Sequence, residues 1–155
     1  MLLGSGICRV NDLEAAGAPV GLGVDGSASN DGSNMMQEVR QAFLLQRIRY
    51  GAATVSHEDA LRWGTAGGSS VLNRPDLGTL APDQAADIAL FDLEELRFPG
   101  SSDPVAALVL CGAHRVRHLM IGGEWRVLDR EIPNIDLTRL RAQHQVMADK
   151  LASRA

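Results

Sequence analysis

The amino-acid sequence predicts an α/β protein, and three observations support this class. First, apolar residues alternate with Gly in Pro19 to Val24, as in a short interior strand, and the run ends abruptly at Asp25. Second, Met35 to Tyr50 carries apolar residues at three-and-four spacing, which predicts an amphipathic helix. Third, Pro and Gly separate short apolar runs from Asn73 onward, a pattern typical of β structure.

The first half of the chain is predicted to contain a short helix, the strand and the long helix. Val10 to Ala16 forms the short helix, which ends at a Gly before the strand of Pro19 to Val24 begins. The loop of residues 26–34 is too rich in Gly, Ser, Asn and Asp to continue the strand. In the long helix the predicted apolar stripe contains these residues: Met35, Val39, Ala42, Phe43 and either Leu45 or Gln46.

A further helix is predicted to begin at Ser56, whose hydroxyl group can cap the amide of Asp59, and to extend through Trp63. Three glycines, Gly64, Gly67 and Gly68, then weaken the helical pattern. They indicate either close packing against a neighbouring segment or a frayed helix end.

The second half is predicted to be mainly β structure. Ile88 to Phe91, Val105 to Leu110 and Arg115 to Ile121 are the predicted strands. Two consecutive glycines after Ile121 predict a tight hairpin, because Gly accepts the positive φ angles of a primed turn. Asp136 to Ala152 is predicted to be a polar amphipathic helix that serves packing or dimer contact.

Composition excludes several classes of function. Of the 155 residues, 45% are hydrophobic and 22% are charged, and the net charge of -4 gives no basic face for nucleic acid. We therefore expect neither a nucleic-acid nor a membrane partner, since no run of about 18 apolar residues occurs. Cys8 and Cys111 stand far apart in sequence, and the amino terminus lacks a basic signal region. A cytoplasmic protein with reduced thiols is expected.

Asp25 is the candidate site residue. It follows the predicted strand directly, and in barrel enzymes the carboxyl ends of strands carry the chemistry. On the strand-and-loop pattern alone, however, a side chain that caps the loop by bonding the backbone of Ser27 explains it better.

A resemblance to a known family favours a catalytic role for Asp25 over the capping role. Three segments, in order, resemble the metal-dependent amidohydrolase superfamily, in the branch of 8-oxoguanine deaminases and triazine hydrolases such as atrazine chlorohydrolase. They are GLGVDGSASNDGSNMMQEVRQAFLLQ (residues 21–46), LGTLAPDQAADIALFD (77–92) and VRHLMIGGEWRVL (116–128). Three collinear matches are much stronger than one. The chain departs from the usual Gly-Lys of its relatives at Asp83 and Gln84, which affects a turn and leaves the site unchanged.

The resemblance implies the architecture. A complete (β/α)8 barrel needs about 250 residues, so 155 residues hold only its carboxyl-terminal part. Residues 1–72 would form the last barrel strand and its flanking helices, residues 73–135 part of a small composite β-sandwich, and residues 136–155 a carboxyl-terminal helix. Faces without their neighbours would then lead to homo-oligomers or other self-association.

The resemblance also implies the chemistry. Asp25 would bind one divalent metal ion, zinc in the first instance with iron as the alternative, and would pass a proton from the metal-bound water. The other ligands would lie outside this chain, so that the chain alone would be inactive. The parent enzyme would remove an amino group, or chloride, from a nitrogen heterocycle, with an 8-oxoguanine-like purine as the first expected small-molecule substrate.

Other polar residues leave alternatives open. Ser27, Ser29 and Asn30 follow Asp25 and either line a substrate pocket or satisfy the backbone of the turn, so the substrate-binding residues stay unknown. His114 and His118 have the spacing of a helical zinc pair, but Arg115 to Ile121 is predicted to be a strand, and a structural role is the stronger interpretation.

Three further residues, His57, His144 and Asp87, are expected to be structural. The alternative to an enzyme is a non-catalytic interaction or scaffold module without a metal site.

Overall fold

A computed structural model describes residues 3–30, 32–112 and 115–154. In these ranges the chain forms six helices and three strands. The helices are α1 (Val10–Ala15), α2 (Met35–Tyr50), α3 (His57–Trp63), α4 (Ala66–Val71), α5 (Pro104–Leu110) and α6 (Leu137–Ala152). The strands are β1 (Ile88–Leu90), β2 (His118–Ile121) and β3 (Glu124–Val127).

The main core lies where α2, α3 and α5 pack together. Trp63 at the end of α3 is its largest fully buried side chain, and Val39 of α2 and Val109 of α5 are buried equally deeply. The other buried members of this core are Val10, Phe43, Val55 and Ala60. Because burial of one large apolar side chain contributes about 1.5–3 kcal/mol, this small cluster is the main source of stability for the first half of the chain.

Two predicted helix starts are confirmed. The Asn34 side chain accepts a hydrogen bond from the Gln37 amide at 3.2 Å and so caps α2. At α3, the Ser56 hydroxyl accepts from the Asp59 amide at 3.1 Å, while the Asp59 carboxylate accepts from the Ser56 amide at 2.9 Å. This reciprocal capping box satisfies amides that have no partner inside the helix.

The glycines after α3 mark close packing, which is the first of the two predicted alternatives. A Cβ atom on Gly67 would lie 2.3 Å from the carbonyl oxygen of Val20, and one on Gly21 would lie 2.8 Å from the Cα of Gly68. Two stretches of backbone thus meet with no room for a side chain. Gly67 and Gly68 themselves lie in the short helix α4, which the sequence pattern did not predict.

The predicted strand of Pro19 to Val24 is wrong for the described part of the chain, since residues 19–24 belong to none of the three strands there. A strand requires a ladder of hydrogen bonds to a neighbouring strand. Here the segment lies against helices instead, and the Leu22 amide donates to the Trp63 carbonyl oxygen at 3.1 Å.

The predicted strand of Val105 to Leu110 is also wrong, because these residues form helix α5. The Asp103 carboxylate accepts hydrogen bonds from the amides of Val105 at 2.9 Å and Ala106 at 3.0 Å. Pro104 occupies the first turn, where its missing N–H costs nothing. An Asp-Pro pair ahead of an apolar run is a helix start, and this signal outweighs the β-branched residues.

The other two predicted strands are confirmed with shifted ends, and they form an antiparallel sheet of order β1-β2-β3. The predicted hairpin is present, with φ angles of 58° at Gly122 and 81° at Gly123. Asp87 has the structural role expected of it, since its carboxylate accepts from the Gly122 amide at 2.7 Å. The strand predicted from Arg115 begins only at His118.

The helix predicted from Asp136 to Ala152 is confirmed as α6, which Asp136 caps and which has no buried residue. Its large apolar side chains are exposed, including Leu140 at 50% and Met147 at 67%. Among the described residues, no helix combines the length and apolarity needed to cross a membrane. The division of the chain near residue 73 and its sandwich domain stay predictions, because the sheet has three strands in the described ranges and α5 packs against α2 and α3.

Candidate functional site

Asp25 stands at the junction between the segment of residues 19–24 and the polar loop. Its φ angle is +61°, a left-handed conformation that is uncommon outside Gly, Asn and Asp. The side chain is exposed, and one carboxylate oxygen, Oδ2, accepts a hydrogen bond of 2.5 Å from the Ser29 hydroxyl group. The backbone of Ser27, the alternative partner expected from the sequence, makes no such bond to it among the described residues.

The Asp25 carboxylate is kept ionised by its neighbours. The Ser29 hydroxyl group lowers the pKa of Asp25 below its usual value, and the Gly26 backbone amide adds to this. Both groups donate hydrogen bonds to the charged form and therefore favour it. An anionic carboxylate at neutral pH is the form that can bind a cation or accept a proton.

The loop beyond Asp25 is folded on itself and fastened to α2. The Gly26 carbonyl oxygen accepts from the amides of Ser29 at 3.0 Å and Asn30 at 2.9 Å. The Asn30 side chain then donates to the Glu38 carboxylate at 2.6 Å. Of the three polar residues considered from sequence, Ser29 contacts Asp25, Asn30 anchors the loop, and Ser27 is exposed.

A cavity of about 320 Å³ lies beside this carboxylate. The lining is formed by Asp25 and Ser29, by residues 3–6 and Cys8, and by the face of α2 from Glu38 to Gln46. It includes two carboxylates, those of Asp25 and Glu38. These negative charges favour a cation or a molecule that presents N–H groups.

The Asp25 carboxylate fits one ligand position of a metal site. Asp25 offers a carboxylate oxygen, an accepted ligand of zinc and of harder cations, but zinc takes four ligands or three and water. The described residues that line this cavity include no histidine. The described lining thus offers a carboxylate and no imidazole, and the placement of the remaining ligands outside this chain stays a prediction.

The histidines lie elsewhere. His57 Nε2 is 3.0 Å from the Asp103 carboxylate and 3.4 Å from that of Glu58, so it links the starts of α3 and α5. His118 accepts a hydrogen bond from the Asp129 amide at 3.2 Å. These contacts agree with structural roles. His114, the other half of the pair considered for zinc, lies outside the described residues.

A second cavity, of about 680 Å³, lies between α2, α3 and the sheet. Its lining is mostly apolar and includes Met36, Leu61, Phe91 and Leu119. The carboxylate on this lining is that of Asp87, which already accepts a hydrogen bond from the Gly122 amide.

The chain belongs to the Amidohydrolase family, whose sequence model matches residues 1–126. The resemblance found in the three sequence segments is therefore confirmed. The chain is 56% identical to the 8-oxoguanine deaminase of Pseudomonas aeruginosa over 151 residues, which cover 97% of this chain and 34% of that protein.

Solved structures of amidohydrolases support the same family assignment. A triazine hydrolase variant is 34% identical with a TM-score of 0.86, and the match covers 93% of this chain and 32% of that one. An adenosine deaminase from Xanthomonas campestris with bound zinc is 28% identical with a TM-score of 0.90, covering 97% and 35%. The chain thus has part of the amidohydrolase fold and spans about a third of the length of these relatives.

Sequence reasoning assigned no role to two residues of the cavity, Glu38 and Gln46. Glu38 holds the loop through Asn30, and Gln46 is the buried polar side chain of α2. The helical spacing of α2 already indicated that either Leu45 or Gln46 points inward.

Proposed function

We propose that this chain supplies the Asp25 side of the active site in a metal-dependent hydrolase that removes an amino group from a nitrogen heterocycle, with an 8-oxoguanine-like purine as substrate. The observation that carries the proposal is the placement of an ionised Asp25, held by Ser29, on a cavity in a chain that is 56% identical to an 8-oxoguanine deaminase. Dechlorination is the corresponding reaction for a chloride leaving group.

Asp25 would act as the proton carrier of the reaction. Water adds to the electron-poor ring carbon, and its proton goes to the Asp25 carboxylate. Asp25 then returns that proton to the amino nitrogen, which leaves as ammonia while the carbon keeps the oxygen. The Asp25 carboxylate is ionised at the start of this cycle and can therefore accept the proton, although its lowered pKa makes it a weaker base.

Asp25 would also be one ligand of the metal ion, with zinc as the expected metal and iron as the alternative. When bound, a divalent metal makes water acidic enough to attack near neutral pH. Ser29 would hold the carboxylate through Oδ2, which leaves Oδ1 for the ion. The other ligands would come from polypeptide beyond this chain.

The test is a chimera in which this chain replaces the corresponding third of the Pseudomonas aeruginosa 8-oxoguanine deaminase. We expect the purified chimera to bind close to one equivalent of zinc and to release ammonia from 8-oxoguanine. The chain alone is expected to do neither, because it offers one ligand. A folded chimera with zinc but without ammonia release would contradict the proposed substrate, and one without bound metal would contradict the site. Catalysis by the chain alone would contradict the division of ligands.

We also expect the isolated chain to self-associate through α6. Leu140, Met147 and Leu151 repeat at spacings of seven and four and are 50%, 67% and 73% exposed. The double variant Leu140→Lys with Met147→Lys should shift sedimentation velocity towards the monomer. The pair Thr138→Lys with Gln145→Lys, which adds the same charge at the same spacing on another face, should not. A wild-type chain that is monomeric at tens of micromolar would contradict the expectation.

A further inference from the structure

We propose that Gln46 is a positioning residue that fixes residues 3–8 as a wall of the Asp25 cavity, and that this wall sets the width of the heterocycle admitted. The second half of this inference rests on the proposed function. The first half concerns the chain by itself.

Gln46 is an unusual residue for its place. It is 2% exposed, and it is the buried polar side chain recorded among the described residues. Its Nε2 donates a hydrogen bond of 2.9 Å to the carbonyl oxygen of Cys8, 38 residues earlier. Its Oε1 is enclosed and has no hydrogen-bond partner in the described part of the chain.

The energetics indicate what this amide does. A buried acceptor without a partner costs about 1–3 kcal/mol, and a typical hydrogen bond returns about 1 kcal/mol. A Met or Leu side chain would fill the same volume without that cost. The specific contribution of Gln46 is therefore its bond to Cys8, which ties the start of the chain to α2.

Residues 3–8 have few other contacts that would hold them in place. Gly4 and Gly6 have φ angles of +63° and +93°, and a Cβ atom on either would meet nothing within 4 Å. Leu3 to Gly6 and Cys8 are exposed, whereas Val10 just beyond is buried in the core. The segment is thus anchored at Val10 and held to α2 by Gln46, with open space around its glycines.

The same segment bounds the cavity. Leu3, Gly4, Ser5, Gly6 and Cys8 line it together with Asp25 and Ser29. Because the fastening bond lies at Cys8, its loss would let this wall move away from α2 and widen the space beside Asp25. A displacement of these lining residues would therefore change which ring system fits beside Asp25.

The first experiment measures limited proteolysis of the isolated chain by trypsin, which cleaves after Arg9, the residue that follows Cys8. In Gln46→Met, which keeps the length but lacks the donor, the rate of this cleavage should rise about fivefold, the equivalent of one hydrogen bond. Gln37→Met, also on α2 and exposed but outside the lining of the cavity, is the matched control and should leave the rate unchanged. Gln46→Asn keeps a buried amide too short to reach Cys8 and should behave like Gln46→Met. Circular dichroism of each variant reports whether it is folded.

The second experiment uses the chimera and compares kcat/KM for 8-oxoguanine with that for isoxanthopterin, whose two six-membered rings are wider. The ratio should shift about fivefold towards the pteridine in Gln46→Met and stay constant in Gln37→Met. A ratio cancels any common loss of active protein.

The outcomes separate the two proposals. An unchanged rate of cleavage after Arg9 in both Gln46 variants would overturn the positioning role. Faster cleavage with an unchanged kcat/KM ratio would overturn the link to specificity. Faster cleavage in the chain, together with a wild-type chimera that deaminates neither compound, would support the wall and contradict the proposed function.

Discussion

The substitution Asp25→Asn should reduce deamination by the chimera by about 10² to 10⁴-fold. The lost group is the proposed proton carrier, and a positioned acid–base residue contributes a rate factor of this size. Asn is the suitable replacement because it tolerates the φ angle of +61° at this position, so the backbone of the loop should not change. The measurement is ammonia release under steady-state conditions, with the metal content of each preparation determined alongside.

The matched control is Asp83→Asn. Asp83 is also an exposed Asp with a positive φ angle, +65°, but it lies in the turn before β1 and does not line the Asp25 cavity. The same charge is removed from the same backbone conformation, and activity should stay within about twofold of the wild type, as for a surface change. Full activity in Asp25→Asn, or an equal loss in both variants, would show that Asp25 is not the proton carrier.

The starts of α2 and α3 were predictable because they depend on residues close in sequence. The caps of α2 and α3 depend on Asn34 and Ser56, which act on amides three residues away, so the sequence contains everything that decides them. The hairpin at Gly122 and Gly123 is equally local. Helix α5 was also encoded locally, by Asp103 and Pro104, but β-branched residues suggested a strand instead.

Non-local contacts decided the rest. Whether residues 19–24 form a strand depends on a neighbour for their backbone, which periodicity within the segment does not report. Likewise, the sequence identified Asp25, but the Ser29 bond and the distant tie between Gln46 and Cys8 emerged only from the fold. The helical spacing in α2 did not decide whether Leu45 or Gln46 points inward. A buried amide at this position needs a hydrogen-bond partner, and the Cys8 carbonyl oxygen that provides it lies far away in sequence.

The segment that leads into Asp25 is positioned by a backbone contact, and disrupting this contact should have a large effect on stability. In Gly67→Ala the new Cβ atom would lie 2.3 Å from the Val20 carbonyl oxygen and 3.1 Å from that of Arg62. Both are main-chain atoms that cannot rotate away as a side chain would. Forcing an extra carbon into such a site costs about 1–3 kcal/mol or more, so the melting temperature should fall by several degrees.

Gly68→Ala provides the internal comparison. Gly68 is the next residue of α4, and a Cβ atom there would meet nothing within 4 Å. Replacing Gly by Ala in a helix stabilises it by about 0.5–1 kcal/mol, so the two neighbouring substitutions should change the free energy of unfolding in opposite directions. Urea unfolding followed by circular dichroism measures both. If Gly67→Ala were as stable as Gly68→Ala, the close approach of Val20 to α4 would be wrong. The placement of Asp25 five residues further on would then lose its support.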